Sequence, residues 1–333
     1  MRTVRPGRMS DPRSSATRTY LSVAMTIALA GCGAAPPPAE HAQASEPERE
    51  RSEPDTAGIV EAELDRLVAE GATRATIVVL DPQTGRVLAA SGRGPEGTAE
   101  ADRVDEMGST LKPLTVAAAL DAGLDPMRRF SGEGGAWQVD ASTLLRDAHP
   151  RESFDAQDVL VASSNVGAAK IVEAVGEAPV ASYFAANRVE VPAPASWLLH
   201  GAGIGAVTSA RRLAAAYAVF ANGGRWIEPT SDGSGRSHDV LSAPSARAIA
   251  RMLEAAVGEE GTGRRAQIQG VRVAGKTGTT ASGAAVFAGF APVDEPRYVV
   301  VVRAERTDGA WGGAVAAPSF ARVAAALLAP PSP

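Results

Sequence analysis

The chain has 333 residues, of which 45% are hydrophobic and 21% charged, the balance of an ordinary soluble globular protein. Its net charge is -5, and its basic residues are scattered, not gathered on a basic helix or interleaved with aromatics, which gives no reason to expect nucleic acid as a partner. Aromatic residues make up only 5%, so the core must be packed largely from Ala, Val and Leu.

Residues 1–20 carry five arginines and one acid, residues 21–30 (LSVAMTIALA) form an apolar run of ten, and Gly31 and Cys32 follow. That run is too short for a bilayer, which takes roughly 20 residues. Residues 1–31 resemble a bacterial lipoprotein signal peptide, with Leu29-Ala30-Gly31-Cys32 as its lipobox. The resemblance implies that Cys32 becomes the acylated N-terminus, a membrane lipid anchor. Cys32 is also the only cysteine, which rules out an internal disulfide. Residues 32–56 are rich in Pro, Ala and Glu without a large apolar side chain, and are expected to be a disordered, extended tether. The folded domain is expected over residues 57–333.

Ile59, Leu64, Leu67 and Val68 recur at helical spacing and predict a helix over residues 58–71, closed by Gly71. Residues 75–80 (ATIVVL) and 86–91 (RVLAAS) flank the turn sequence Asp81-Pro82-Gln83-Thr84-Gly85 and predict an antiparallel hairpin. Residues 92–107 are polar and Gly-rich, a loop. A helix over residues 110–122 is apolar nearly all round and is therefore expected to be buried, with Pro113 tolerated in its first turn. A turn-rich segment containing Trp137, Asp147 and His149 runs to about residue 154. Asp155 can cap a helix over residues 156–162, which stops at Ser163-Ser164-Asn165 before another over residues 166–175. Further helices are predicted over residues 209–222, 243–257 and 313–329, and strands over residues 271–279, 284–290 and 298–305. The pattern is an α+β domain in which both chain ends build one five-stranded antiparallel sheet, flanked by helices, with a mostly helical insert between.

Ser109 and Lys112 stand three residues apart at a predicted helix start, within reach of one another. A serine hydroxyl needs a base to become a good nucleophile, and a lysine amine serves only if burial lowers its pKa. Arginine stays protonated and cannot do so. Of 33 basic residues only Lys112, Lys170 and Lys276 are lysines, as if lysine persists mainly where arginine cannot replace it. Lys276-Thr277-Gly278-Thr279 ends a predicted strand with hydroxyls on both sides of a permissive glycine, a group suited to a carboxylate. Each motif has a plainer reading beside it: a capping serine with a surface lysine, a turn, and, for Ser163-Ser164-Asn165, a helix cap. Gly201-Ala202-Gly203-Ile204-Gly205 follows no strand and lacks an acidic partner for a ribose, so it reads as a Gly-rich turn and not a nucleotide loop. Lys170 reads as a helix-surface or packing lysine. His149, His200 and His238 share no metal-ligand spacing, and neither metal nor cofactor is expected.

The order of the three motifs, Ser-x-x-Lys, Ser-x-Asn and Lys-Thr-Gly, resembles the penicillin-recognising serine acyl-enzymes. Segments such as GSTLKPLTVAAALDAG, LVASSNVGAAKIVEAVG and VAGKTGTT extend the resemblance over residues 75–329, to the transpeptidase domain of class B penicillin-binding proteins. The resemblance implies a β-lactamase/D,D-transpeptidase-like fold and a D,D-transpeptidase acting on peptidoglycan stem peptides. Ser109 would be the nucleophile, Lys112 its base, and Ser163 and Lys276 the proton relay to the leaving D-Ala. Asn165, Thr277, Gly278 and Thr279 would bind substrate, and the N–H groups of Ser109 and Thr279 would form the oxyanion hole. β-Lactams would be covalent inhibitors, and the domain would face the periplasm from its anchor. Met107 stands where this family usually has Pro, and only a short tether occupies the place of the usual large non-catalytic module. D,D-carboxypeptidase, β-lactamase and a non-turnover β-lactam or muropeptide sensor are the alternatives. No Glu-x-x-x-Asn segment of the class A β-lactamase kind is found.

Overall fold

The computed structural model describes residues 54–193, 196–306 and 312–330. The signal segment, Cys32 and nearly all of the expected tether lie outside the described residues. Helix α1 is Thr56–Ala69, and its cap Asp55 accepts a hydrogen bond from the Gly58 N–H at 2.9 Å. The last residues assigned from sequence to the tether are thus the helix start, because Asp55 is a capping residue.

Strands β1 (Ala72–Leu80) and β2 (Val87–Arg93) form the predicted hairpin, whose turn is tied by the Thr84 hydroxyl and the Gln83 N–H donating to Asp81. Strands β3 (Ala274–Thr279), β4 (Ala285–Ala291) and β5 (Tyr298–Arg306) complete a five-stranded sheet in the order β3-β4-β5-β1-β2, every pair antiparallel. The two chain ends therefore meet at the β5–β1 pair, where Ile77 lies opposite Val302 and Val79 opposite Val300.

Both faces of the sheet are covered, which explains the unbroken apolar runs in β1 and β5. Ile77, Val79, Val300 and Val302 pack with Val60, Leu64 and Leu67 of α1 and with Phe320, Val323 and Leu327 of the last helix, Ala316–Leu328. The alternate residues Val78, Leu80, Val299 and Val301 join the opposite core. That core holds α2 (Lys112–Asp121), α3 (Ala156–Val161), α4 (Asn165–Val175), α5 (Glu177–Ala186) and α6 (Trp197–Gly201). It also holds α7 (Ala210–Ala221) and α8 (Ala243–Val257); the last helix is α9. As its all-apolar surface predicts, α2 is buried from Lys112 through Ala119.

Several boundaries differ from expectation. The helix expected from residue 110 begins at Lys112, after a 3-10 turn over Gly108–Leu111. The strand expected from residue 271 begins at Ala274, because Val271 is held in a tight bridge to Ile268. The expected loop 92–107 contains a short strand, Val104–Glu106, paired with Val207–Ser209. Helices α5 and α6 lacked a sequence assignment, since Gly176, Pro179 and the glycines after residue 200 punctuate the pattern. Gly176 is both the last cap of α4 and the first cap of α5, so no linker separates them.

Candidate active site

The 3-10 turn is what brings Ser109 and Lys112 together. With three residues per turn, side chains at i and i+3 eclipse. Lys112 Nζ lies 2.6 Å from Ser109 Oγ. The turn is reached through Gly108, whose φ of +57° is left-handed and whose added Cβ would lie 2.6 Å from the Thr279 carbonyl oxygen. Only glycine permits so close an approach of the turn to the end of β3.

Lys112 is fully buried. Its amine also contacts Asn165 Oδ1 at 2.8 Å and the Ala202 carbonyl at 3.0 Å. Burial pushes its pKa down from 10.5 to about 7, against the opposing pull of the Asp147 carboxylate. A near-neutral amine hydrogen-bonded to a half-buried hydroxyl can take that hydroxyl's proton.

Ser163 and Asn165 come from the α3–α4 junction. Ser164, between them, is the α4 cap and accepts from the Gly167 N–H at 2.7 Å. Ser163 adopts a left-handed φ of +58°, rare for a residue with a side chain, as the chain turns from one helix to the next. Its hydroxyl accepts from Lys276 Nζ at 2.9 Å. Lys276 is likewise fully buried, and burial, with Lys112 as a second cause, pushes its pKa well below the ordinary value. Asn165 is engaged on both sides of its amide, since Nδ2 donates to the Arg146 carbonyl at 2.8 Å.

Thr277, Gly278 and Thr279 lie on β3 beside the turn. A Cβ on Gly278 would sit 2.5 Å from the Met107 carbonyl, so this glycine lets the strand pack against the nucleophile's turn. Thr277 Oγ1 donates to Thr262 Oγ1 at 2.8 Å. Ser109, Ser163, Asn165, Thr277, Gly278 and Thr279 all line one cleft of about 520 Å³. The structure thus collects every sequence-predicted residue of the described chain at one place; Cys32 lies outside the described residues.

Three contributors were given no part in the site by sequence. Asp147 accepts from the N–H groups of Asn165 at 2.6 Å and Val166 at 3.0 Å, and from the Ser164 hydroxyl at 2.6 Å. It fixes the start of α4 and carries the charge that acts on Lys112, and its only sequence signal was an acid in a turn-rich segment. Thr262 is the second. The third is the glycine-rich loop after α6: Gly203 has φ +82°, and an added Cβ would lie 2.2 Å from the Gly108 carbonyl. Its glycines let the loop close over Lys112, with the Ala202 carbonyl as a ligand of the amine. Lys170 packs over the Trp137 ring at 3.7 Å, pairs with Glu133 and Glu173, and does not line the cleft. Among the described residues no three His, Cys, Asp or Glu side chains gather to hold a metal ion.

The sheet and the paired Ser–Lys contacts define a lysine-assisted serine cleft on an α+β scaffold. A family model described as the penicillin binding protein transpeptidase domain matches residues 75–325, and the chain belongs to this family. It is 28% identical over 309 residues to the probable peptidoglycan D,D-transpeptidase PbpC of Pseudomonas aeruginosa, covering 78% of this chain and 54% of that protein. It is also 28% identical over 316 residues to the probable peptidoglycan D,D-transpeptidase PenA of Neisseria flavescens, covering 80% and 78%. Penicillin-binding protein PbpB of Mycolicibacterium smegmatis is 30% identical over 332 residues, covering 78% and 51%. The chain thus spans about half the length of two of these relatives. Among solved structures, the TP domain of Burkholderia pseudomallei penicillin-binding protein 3 is similar with a TM-score of 0.73 at 26% identity, covering 87% of this chain and 100% of that one.

Proposed function

We propose that this chain is a serine D,D-transpeptidase acting on the D-Ala-D-Ala ends of peptidoglycan stem peptides. The observation that carries the reading is the fully buried Lys112 amine 2.6 Å from the Ser109 hydroxyl. Ser109 Oγ attacks the penultimate D-Ala carbonyl carbon while its proton passes to Lys112. The oxyanion faces the N–H groups of Ser109 and Thr279, whose backbones the Gly108 approach brings together. The C–N bond then breaks, and the leaving D-Ala amine receives a proton by way of Ser163 and Lys276, which are in hydrogen-bond contact. An acceptor amine from a second stem attacks the ester carbonyl, the C–Oγ bond to Ser109 breaks as the crosslinking C–N bond forms, and the acceptor amine's proton passes to Ser109 Oγ.

Asn165 would hold the stem amide, and the Thr277 and Thr279 hydroxyls the terminal carboxylate, with Gly278 keeping β3 close. A β-lactam would acylate the same Ser109. The relatives' names support work on peptidoglycan, and therefore a place in the cell envelope outside the cytoplasm. The lipobox supports anchoring through Cys32, with residues 32–56 as tether and the folded transpeptidase domain beyond it. Covalent labelling of the chain by a fluorescent penicillin tests the reading, and the adduct's lifetime separates it from a β-lactamase. An adduct lasting many minutes fits a transpeptidase; loss within seconds would mean hydrolysis.

A further inference from the structure

The cleft has a charged wall that the motifs do not include. Arg151, Arg264 and Arg265 line it, against Glu260 as the only acidic side chain among its described lining residues. This reverses the sign of a chain whose net charge is -5. Arg151 is committed, donating to Asp158 at 2.8 Å. Arg264 and Arg265 are exposed, and neither guanidinium has a hydrogen bond or ion pair among the described residues.

The two arginines ride on a short turn, Arg264–Ala266, that is firmly held. Ala266 is fully buried, the Gly263 N–H donates to the Ala256 carbonyl at 2.9 Å, and Gln267 Nε2 donates to the Val257 carbonyl at 3.0 Å. A Cβ on Gly261 would lie 2.0 Å from the Ala256 carbonyl, so the chain leaving α8 passes in tight contact with it. Thr262, on the same segment, receives the Thr277 hydroxyl, which places the turn beside the end of the cleft assigned to the substrate's carboxylate.

We propose that Arg264 and Arg265 form an anion-attracting rim that draws the terminal carboxylate of the stem peptide, or the equivalent carboxylate of a β-lactam, toward Thr277 and Thr279. This rests on the transpeptidase reading above. The threonines offer only neutral hydroxyls. Burial also holds Lys112 and Lys276, which lie behind the lining serines Ser109 and Ser163, toward their neutral forms, so they are poor sources of positive charge. Arginine keeps its charge at every working pH, and a cleft with low-dielectric walls focuses that charge on an entering anion.

The test measures the second-order acylation constant of the full chain with benzylpenicillin and with its uncharged methyl ester, at low salt and at about 0.5 M salt, where the Debye length shrinks below roughly 5 Å. For the wild type, benzylpenicillin should slow roughly tenfold in high salt, the lower end of cleft focusing, while the ester should be slow and salt-independent. Arg264→Gln with Arg265→Gln should lower the low-salt benzylpenicillin rate by a similar factor and flatten its salt dependence. Arg264→Glu with Arg265→Glu should invert that dependence, so that salt accelerates acylation, which a folding defect would not produce. A glutamine pair that keeps both the wild-type rate and the wild-type salt response would overturn the proposal alone. A wild type that reacts with neither compound would overturn the transpeptidase reading and this rim with it.

Discussion

Replacing Lys112 with Met should abolish most acylation and, below neutral pH, make the protein more stable. Burial moves this amine from 10.5 to about 7, and at about 1.36 kcal/mol per pH unit that is a cost of roughly 5 kcal/mol for the charged form. The folded chain binds fewer protons than the unfolded chain between pH 7 and 10.5, so the wild type gains stability as pH rises through that window. Below it, both states are protonated and the folded state bears the whole cost. Met fills similar volume without a charge. It leaves Asn165 Oδ1 and the Ala202 carbonyl without their donor, at about 1–3 kcal/mol each. The balance near pH 6 runs from about a 1 kcal/mol loss to about a 3 kcal/mol gain, centred on a gain of about 1 kcal/mol, and it becomes a net loss near pH 10. Urea denaturation at both pH values, with m-values checked for constancy, measures it. Acylation by a fluorescent penicillin should fall by about 10²–10⁴-fold, the usual contribution of a general base. A stability difference that does not change between these two pH values would refute the reasoning that Lys112 is a buried amine held near neutrality.

Asp147→Asn keeps an oxygen for the Asn165 and Val166 N–H groups but removes the charge that raises the Lys112 pKa. The acid limb of the acylation profile should therefore move to lower pH; an unmoved or higher limb would show that Asp147 only caps α4. Gly203→Ala should cost about 1–3 kcal/mol in thermal or urea unfolding and slow acylation, because a left-handed position would acquire a Cβ against the Gly108 carbonyl. Unchanged acylation in a folded variant would show that the loop does not hold the Ser109 turn.

The scaffold was legible where chain periodicity reflected burial. Runs such as ATIVVL and YVVVV announced strands, though not that both faces of the sheet are covered, and the all-apolar α2 announced a buried helix. The site was legible through three short motifs and the scarcity of lysine. Sequence placed Ser109 at the start of an α-helix, whereas a 3-10 turn supplies the eclipsed geometry, a distinction that side-chain spacing alone does not carry. Asp147 was out of reach because its partners Ser164, Asn165 and Val166 follow it only after α3 and an irregular segment, so no local pattern linked them. The glycines at 203 and 205 gave a turn but not its purpose. The role of Gly203 depends on the Gly108 backbone, nearly a hundred residues earlier, and such contacts leave no periodic trace.

The most direct measurement is the site of penicillin attachment, read by intact mass and peptide mapping after reaction of the full chain. One penicilloyl group is expected, on the peptide carrying Ser109, absent from Ser109→Ala and strongly reduced in Lys112→Arg. Modification at another residue, or an adduct that persists in Ser109→Ala, would contradict this assignment.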